Sequence, residues 1–338
     1  MYHLTASGKV ETYVTKSGKS SKVMSFKCIF CFFALGLLIC TLSWLAFVRN
    51  VATHMQLMSE PIYISINEAQ LSEKWSHEDE LDVQDEGKFH VVTNLILVTH
   101  KHYSINLRYE DNRIPDANQL QDRQAEIEST LQLNLNNDKI AAVHVLYFHP
   151  AVAQYLLKLP LQNSKKLILH LTKRDPTVGI NLDYIQSYLK HKPVILMHMD
   201  NFLGSGWEDV DFTLLRTQRL VYALTRHSVT SKFPCNAAVS ASCNPGTAYM
   251  GSHDAFVFHA DRDFEKEMLQ ELDTGPNSNG IENVLIWYLR EKMGYRVINP
   301  CLHLIVYHNH CIPIRDIGRK RFNRKGKNGL AQFTRELT

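Results

Sequence analysis

Acids and histidines at predicted strand ends and helix starts have the side chains that metal or acid–base chemistry requires. They are Asp200, Asp254, Glu282, His308 and His310. Asp200 directly follows the apolar run Val194–Met199, which is typical of a strand buried on both faces. Ligands of open α/β sheets bind beyond the carboxyl ends of such strands, so an acid there can bind a metal or a hydroxyl group. The same position also suits a carboxylate that only caps the following turn.

The two histidines belong to the stretch Y-H-N-H at Tyr307–His310. Side chains alternate along an extended strand, so His308 and His310 are expected on the same face. Two imidazoles on one face can share a divalent metal with a carboxylate. Taken singly, each histidine is more often a structural residue. Glu282 follows Gly280 at a predicted helix start, where a carboxylate stabilises the helix dipole whatever its function.

The spacing of apolar residues predicts the elements that would position these side chains. Strands are predicted at Val91–Val98, Ile140–Phe148, Lys166–Leu171, Val194–Met199, Leu220–Thr225 and Asp254–His259, with extended pieces at Tyr295–Ile298 and His303–His308. Helices are predicted at Asp122–Asn134, Ala151–Leu159, Leu182–Leu189, Val210–Thr217, Phe264–Leu272 and Ile281–Lys292. This alternation with short connections predicts an α/β domain with a mostly parallel sheet flanked by helices.

The region before this domain predicts a membrane anchor. The run Cys28–Val48 carries no charge and is close to the roughly 20 apolar residues that cross a bilayer. Lysines dominate the residues before it, which places the amino terminus in the cytoplasm and makes the chain a single-pass type II protein. The expected divisions are a cytoplasmic tail (1–27), a transmembrane helix (28–48), an acidic stem (49–88), a luminal domain (89–315) and a solvated basic tail (316–338).

The cysteines and the net charge narrow the possible functions. Four cysteines would be luminal, namely Cys235, Cys243, Cys301 and Cys311, and an oxidising compartment favours disulfides among them. Of the three possible pairings, the simplest joins Cys235 to Cys243 and Cys301 to Cys311. A formal charge of +3 is too small to indicate nucleic acid as a partner. The chain also lacks a P-loop, a G-x-G-x-x-G turn and a G-x-S-x-G elbow.

Several short motifs follow one another in a fixed order from Arg123 to Arg315. They are R-Q-A-E at Arg123–Glu126, N-N-D-K-I ending at Ile140, H-M-D-N-F-L at His198–Leu203, A-L-T-R at Ala223–Arg226, S-H-D-A-F-V-F at Ser252–Phe258, G-I-E-N at Gly280–Asn283, G-Y-R-V-I-N-P at Gly294–Pro300, and Y-H-N-H at Tyr307–His310 with Arg315. In this order they resemble a family of glycosyltransferases with a nucleotide-diphospho-sugar transferase, or GT-A-like, fold. The chain departs from the family pattern at His198, Asn201 and Glu282, where the family has Asn, Ile and Asp.

The resemblance implies a role for each matching residue. Asp200 would bind the nucleotide-sugar and, with His308 and His310, a divalent cation, for which Mn2+ is the first candidate. If the enzyme inverts the sugar, Asp254 or Glu282 is the candidate to take the proton from the acceptor hydroxyl, and the sequence leaves inversion or retention open. The remaining matched residues would contact substrate, namely His198, Asn201, Arg226, Asn283 and Arg315. The expected protein is a membrane glycosyltransferase of the Golgi or endoplasmic reticulum that transfers a sugar to a glycan, protein or lipid acceptor.

Two other functions remain open at the level of the sequence. The departures at His198 and Asn201 favour a catalytically inactive luminal protein that binds or scaffolds with the same fold. A metal-dependent hydrolase that uses Asp200, His308 and His310 is the second alternative.

Overall fold

The computed structural model describes residues 87–104, 107–109, 113–228, 243, 253–274, 278, 280–312, 314–316, 322 and 325–338. All of them lie in one compact unit, Ser65–Thr338. The predicted cytoplasmic tail, the predicted transmembrane helix and nearly all of the predicted stem lie outside the described residues. Among the helices that are described, none is both long and apolar enough to cross a membrane.

An eight-stranded sheet forms the centre of the unit. The strands of the chain are β1 (Phe89–Asn94), β2 (Leu107–Tyr109), β3 (Ile140–Tyr147), β4 (Leu167–Leu171), β5 (Pro193–Met197), β6 (Asn201–Leu203), β7 (Leu220–Thr225), β8 (His227–Ser228), β9 (His253–His259), β10 (Arg296–Asn299), β11 (Val306–His308), β12 (Ile314–Asp316) and β13 (Gln332–Phe333). The order across the large sheet is β13-β10-β7-β9-β5-β1-β3-β4. Within it only β9 runs antiparallel to its neighbours, so the predicted, mostly parallel sheet is confirmed.

Helices cover both faces of this sheet. They are α1 (Lys101–Ser104), α2 (Ala117–Asn136), α3 (Ala151–Leu156), α4 (Val178–Tyr188), α5 (Phe212–Thr217), α6 (Lys266–Glu271) and α7 (Ile281–Trp287), and a π-helical turn, Tyr288–Lys292, continues α7. One apolar cluster contains side chains of α2 and α3, and a second contains side chains of α4, α6 and α7. This burial on both sides explains the nearly continuous apolar sequences of β1, β3 and β5.

The strand order contains a reversal that creates a binding crevice. The chain runs from β1 outward to β3 and β4, and then returns to place β5 on the other side of β1. The connecting helices change faces at the same step, from α2 and α3 to α4. Ligands of such sheets bind beyond the carboxyl ends of the strands at this point. The residues that follow β1 and β5 are therefore the first place to look for a site.

A small three-stranded sheet extends that carboxyl edge. Its order is β6-β11-β8, with β6 antiparallel and β8 parallel to β11. Strand β6 follows β5 after three residues, and β8 follows β7 after one. Three-residue strands carry too little periodicity to be recognised in a sequence, which is why β6 was not predicted.

Helix α2 is longer than the sequence pattern predicted. It begins at Ala117 rather than at Asp122, because Asp116 and Gln119 form a capping box. The Asp116 carboxylate accepts from the backbone N–H of Gln119, and the Gln119 side chain accepts from the backbone N–H of Asp116. Its buried face includes Ile127 and Leu131.

The carboxyl-terminal segment packs on the domain, although the sequence predicted a solvated tail. Strand β13 pairs with β10 at the edge of the large sheet. The backbone of Gly329 exchanges hydrogen bonds with Asn283, and Tyr222 donates to the carbonyl of Leu337. Lys327 contacts Glu271, Tyr288 and Glu267. Residues 317–321, 323 and 324 lie outside the described residues.

The disulfide pairing differs from the predicted one. Cys243 is bonded to Cys301, at a sequence separation of 58. Both predicted local pairs, Cys235–Cys243 and Cys301–Cys311, are therefore wrong. Cys311 also forms a disulfide, and its partner lies outside the described residues. Short spacing favoured the local pairs, but the fold brings the end of β10 to Cys243 instead.

Candidate functional site

Asp200 lies at the point where the large sheet passes into the small one. It follows β5 by two residues and directly precedes β6. The backbone N–H of Asn309 donates to the carbonyl of Asp200 at 2.7 Å. In the register of the small sheet, Asn201 pairs with His308. These backbone contacts fix Asp200 beside the segment that carries the two histidines.

The structure brings Asp200, His308 and His310 together. Nε2 of His308 lies 3.2 Å from Oδ2 of Asp200, and Nδ1 of His310 lies 3.3 Å from the same oxygen. The three ligand atoms lie within 4.8 Å of one another. Asp200 is 7% exposed and His308 is 6% exposed, so the cluster is largely withdrawn from solvent. These three residues, which the sequence predicted as metal ligands, form one cluster, which we call the triad.

Arg123 and Glu126 of helix α2 adjoin the triad. Nη2 of Arg123 lies 2.5 Å from Oδ2 of Asp200, and Nη1 donates to Glu126 at 2.8 Å. Arg123 is only 4% exposed, so its charge depends on these two carboxylates. The cluster thus places one guanidinium against two carboxylates, beside the two imidazoles of the triad.

The protonation states follow from burial and from the neighbouring charges. Burial by itself would raise the pKa of Asp200, but His308 and Arg123 outweigh it and hold that pKa well below its usual value. Burial lowers the pKa of His310 to about 4, although the nearby Asp200 carboxylate acts in the opposite direction. At neutral pH the triad therefore combines an ionised carboxylate with an uncharged His310.

The tautomer of His310 shows that the triad fits a cation. Nε2 of His310 lies 3.1 Å from the carbonyl oxygen of Ile314, which only accepts, so Nε2 carries the proton. Nδ1 then presents a lone pair toward the Asp200 carboxylate, and two acceptors face each other. A shared cation resolves this arrangement, and the Nε2–H contact to a carbonyl is the usual outer partner of a metal-binding histidine.

The distances between the ligand atoms of the triad, and the charges around it, also indicate a cation site. Ligand atoms bound about 2.1 Å from one metal, at right or tetrahedral angles, lie roughly 3.0–3.4 Å apart. The separations of 3.2 and 3.3 Å fall in this range. Asp200 and Glu126 share one guanidinium, so these three groups together keep one negative charge that attracts a cation. Imidazole and carboxylate donors together suit Mn2+, Fe2+ or Zn2+ better than Mg2+.

A second polar cluster lies at the same edge, around Asp254. Strand β9 runs antiparallel to β5, so its first residues lie beside the carboxyl end of β5. Oδ1 of Asp254 lies 3.1 Å from Nη1 of Arg226 and 3.7 Å from Nδ1 of His198. The Asp254 side chain is fully buried. This carboxylate therefore anchors Arg226 and does not face the solvent, where an acceptor hydroxyl would arrive.

The other residues that the sequence singled out lie in varied places. Asn201 is fully buried, and its side-chain amide donates to the carbonyl of Asp254. Asn283 donates to the carbonyl of Gly329 and so holds the carboxyl-terminal segment. Glu282 begins α7, and no contact among the described residues joins it to the triad. The backbone of Arg315 belongs to β12, whereas its side chain lies outside what the structure describes.

Sequence reasoning assigned no role to the residues that support the triad. Arg123 and Glu126 were recognised only as part of a motif, and Asn309 only as a spacer between histidines. The Asn309 side chain donates to the Glu126 carbonyl and to the hydroxyls of Ser129 and Thr130 on α2. The sequence did offer one signal, an arginine and a glutamate three residues apart on the buried face of a predicted helix. Buried charges need partners, so this pair indicates that other charged or polar groups lie against the helix.

Comparisons with known proteins give no family assignment. No protein-family model matches the chain, and no curated protein matches it. Its structural neighbours are nucleotidyltransferases and glycosyltransferases. A protein assigned as a nucleotide-diphospho-sugar transferase from Desulfovibrio desulfuricans is 10% identical with a TM-score of 0.33, covering 56% of this chain and 71% of its own. The inositol-1-phosphate CTP transferase from T. maritima is 10% identical with a TM-score of 0.36, covering 66% and 89%.

A glycosyltransferase is among these neighbours as well. GlyE from Streptococcus pneumoniae is 12% identical with a TM-score of 0.32, covering 62% of this chain and 45% of its own. Likenesses of this degree establish nothing about the activity of this chain. Any functional conclusion depends on the chain's own residues.

Proposed function

We propose that the chain is a glycosyltransferase that uses a nucleotide-sugar donor and a divalent cation. One observation carries the proposal: Asp200, the acid that the sequence resemblance assigns to the donor and its metal, has two imidazole nitrogens within 3.3 Å of its carboxylate. The cluster lies at the carboxyl edge of a parallel sheet, where ligands of this architecture bind. The motifs and the geometry therefore indicate the same place from separate observations.

In this proposal the triad holds the cation through Asp200, His308 and His310. A bound divalent cation stabilises negative charge on the departing diphosphate. A divalent ion adds two positive charges to the cluster, so the loaded site attracts a diphosphate. Withdrawal of the triad from solvent strengthens this attraction, since charges interact more strongly where water is excluded.

Arg226 is the candidate for a second contact to the donor. Asp254 fixes one nitrogen of its guanidinium, Nη1. Its other nitrogens remain as possible donors, and guanidinium groups match phosphate oxygens well. Arg226 follows β7 and therefore lies at the same sheet edge as Asp200. A role in binding the diphosphate, rather than the acceptor, follows from its charge.

The transfer requires one bond to form and one to break. The acceptor oxygen bonds to the anomeric carbon of the sugar, and the bond from that carbon to the diphosphate breaks. The acceptor proton leaves to a base, and the nucleoside diphosphate departs with the electron pair. Residues of the triad hold the leaving group and contribute no atom to the product.

Ligand binding and turnover together test the proposal. The full-length protein is screened by thermal shift against UDP-sugars and GDP-sugars, with and without Mn2+. We expect one nucleotide class to raise the melting temperature only when Mn2+ is present. The same protein is then incubated with that donor, and release of the nucleoside diphosphate is measured. A protein that responds to no donor, or equally with and without metal, contradicts the proposal.

A second candidate, donor binding without turnover, is favoured by the surroundings of Asp254. This carboxylate was one of the two predicted bases, and it is buried and paired with Arg226. A base must reach the acceptor hydroxyl, which Asp254 does not do in this arrangement. A metal-dependent thermal shift without any release of nucleoside diphosphate would identify the chain as a binding protein.

The cellular location forms part of the proposal. A type II orientation with the domain in the lumen agrees with the disulfide between Cys243 and Cys301, because disulfides persist in oxidising compartments. Protease added to sealed microsomes should remove only the amino-terminal tail. Digestion of the domain without detergent would contradict this orientation.

A further inference from the structure

Two side chains of helix α2 form hydrogen bonds to the backbone of the segment that carries His310. The Glu126 carboxylate accepts the backbone N–H groups of Cys311 and Ile312, each at 2.9 Å. Nη1 of Arg123 donates to the carbonyl of Asn309 at 2.9 Å. The residues on both sides of His310 are therefore bound to two side chains of one helix, over 180 positions away in the chain.

Arg123 also reaches the carboxylate of the triad, and it binds Glu126 at the same time. Arg123 contacts Asp200 with Nη2 while Nη1 binds Glu126 and Asn309. The guanidinium is rigid and planar, so these contacts fix Asp200 relative to the backbone beside His308 and His310. Asp200 and the two histidines of the triad come from distant parts of the chain, and Arg123 joins them.

We propose that Arg123 and Glu126 are positioning residues that hold Asp200, His308 and His310 at ligand distances before any ligand binds. The inference depends on the proposed function for the identity of the site, but it concerns residues that the proposed function does not use. Helix α2 is a rigid platform for this purpose, since its 20 residues are capped at the start and packed against the sheet.

A competing interpretation makes the opposite prediction. Arg123 carries a positive charge beside the site, so it could compete with the cation for the Asp200 carboxylate. In that case its removal strengthens cation binding, because the cluster becomes more negative. If Arg123 positions the triad, its removal weakens cation binding despite the more favourable charge. The sign of the change therefore separates the two interpretations.

The first experiment titrates the full-length protein with Co2+, which reports ligand geometry through its absorption spectrum. Arg123→Gln should weaken Co2+ binding about 10- to 100-fold, as for other outer partners of metal ligands. Glu126→Gln keeps an oxygen that accepts the two N–H groups but removes a charge, so a smaller loss is expected. Glu128→Gln, on the same helix, is the matched control, because Glu128 binds the hydroxyl of Tyr155 instead.

The second experiment needs no metal. Hydrogen exchange is measured at the backbone amides of Cys311 and Ile312 in the metal-free protein. Glu126→Ala should expose both amides, whereas Glu126→Gln and Glu128→Gln should leave them protected. Circular dichroism of each variant shows whether the domain is folded. If Arg123→Gln does not fold, the two Glu126 variants still provide the test.

Each combination of results has a defined meaning. Weaker Co2+ binding by Arg123→Gln with loss of amide protection in Glu126→Ala supports the positioning role. Tighter binding by Arg123→Gln, or unchanged amide exchange in Glu126→Ala, overturns it. If the unaltered protein binds no Co2+, the metal part of the proposed function fails. The positioning role is then decided by hydrogen exchange alone.

Discussion

Asn201 of β6 pairs with His308 of β11 in the antiparallel register of the small sheet. This one pair brings the acid that follows β5 to a histidine far along the chain. It also sets which face of β11 meets the acid, because a shift by one residue would turn His308 away. The functional cluster therefore depends on a strand of three residues.

The histidines of the triad should determine the response to metal. His308→Ala and His310→Ala should each abolish stabilisation by Mn2+, because two ligands hold a cation far more weakly than three. A ligand at 100 times its Kd stabilises a protein by about 2.7 kcal/mol, which a urea titration resolves easily. His303→Ala is the control, since His303 forms a more exposed pair with Asp209. Mn2+ stabilisation that persists in the triad variants would contradict the assignment.

Asp200→Asn should destabilise the protein even without metal. Arg123 is buried and would keep only Glu126 as a charged partner. Removing one partner of a buried ion pair commonly costs about 3–5 kcal/mol, and the remaining Glu126 should limit the loss to roughly 3. This loss cannot be predicted from the sequence, because Arg123 lies 77 positions from Asp200 in the chain.

A double-mutant cycle in urea checks this result. Combining Asp200→Asn with Arg123→Gln should recover part of the loss, since the buried guanidinium that loses a partner in Asp200→Asn is then also removed. Asp209→Asn, at a more exposed carboxylate, should stay within about 0.5 kcal/mol of the unaltered protein. Additive losses in the double mutant would show that the two side chains do not interact.

The large sheet was predictable because its strands are long and apolar. Leu220–Thr225 was placed without error, and Ile140–Tyr147 to within one residue. The direction of β9 was not predictable, because the segment that precedes it has no regular pattern. Asp200 was found because a buried strand that ends in an acid is a strong local signal. Its partner Arg123 was not, since an ion pair across 77 positions leaves no local trace.

The carboxyl-terminal segment illustrates the opposite error. Its lysines and arginines favoured a solvated tail, and composition gives no indication that Gly329 fits closely against α7. A Cβ at this position would lie 2.4 Å from the backbone nitrogen of Trp287. Lys327 contacts two glutamates and a tyrosine of the domain. Its charge therefore helps to bind this segment to the domain and is not part of a solvated tail.

Gly329→Ala should therefore loosen this segment. The added methyl group meets backbone atoms that have no freedom to move, so we expect a loss of about 1–3 kcal/mol, typical of overpacking. Limited proteolysis should then cleave near the carboxyl terminus of the variant. Leu330→Ala, at an exposed neighbour, is the control. Equal resistance of both variants to the protease would contradict the close fit.

Acid should weaken the fold through two buried histidines. His144 bridges His90 and Tyr184, and burial, with His90 and His170, holds its pKa well below the usual value. Burial lowers the pKa of His253 to about 4. The unfolded chain binds these protons near pH 6.5 and the folded chain does not. Stability is therefore full above pH 6.5 and falls as the pH drops toward the folded pKa values.

Urea titrations at pH 7.5, 6.5 and 5.5 measure this dependence. Each buried histidine contributes up to about 1.4 kcal/mol per pH unit below pH 6.5. His253→Asn should lower the slope by one such contribution, whatever its effect on stability at pH 7.5. Leu330→Ala, at an exposed position that carries no titratable group, should leave the slope unchanged. A slope that is the same in the unaltered protein and in His253→Asn would contradict the prediction.

The disulfide between Cys243 and Cys301 should be a substantial source of stability. It closes a loop of 58 residues, for which the chain-entropy relation gives on the order of 4 kcal/mol. Cys301 is fully buried at the end of β10, and its carbonyl lies 2.7 Å from Nε2 of His227 in β8. The bridge thus ties Cys243 to the strand that adjoins β11, which carries His308.

Non-reducing peptide mapping should recover a Cys243–Cys301 peptide. The variant with serine at both positions should lose several kcal/mol and bind Mn2+ less tightly, and recovery of a Cys301–Cys311 peptide instead would contradict this pairing.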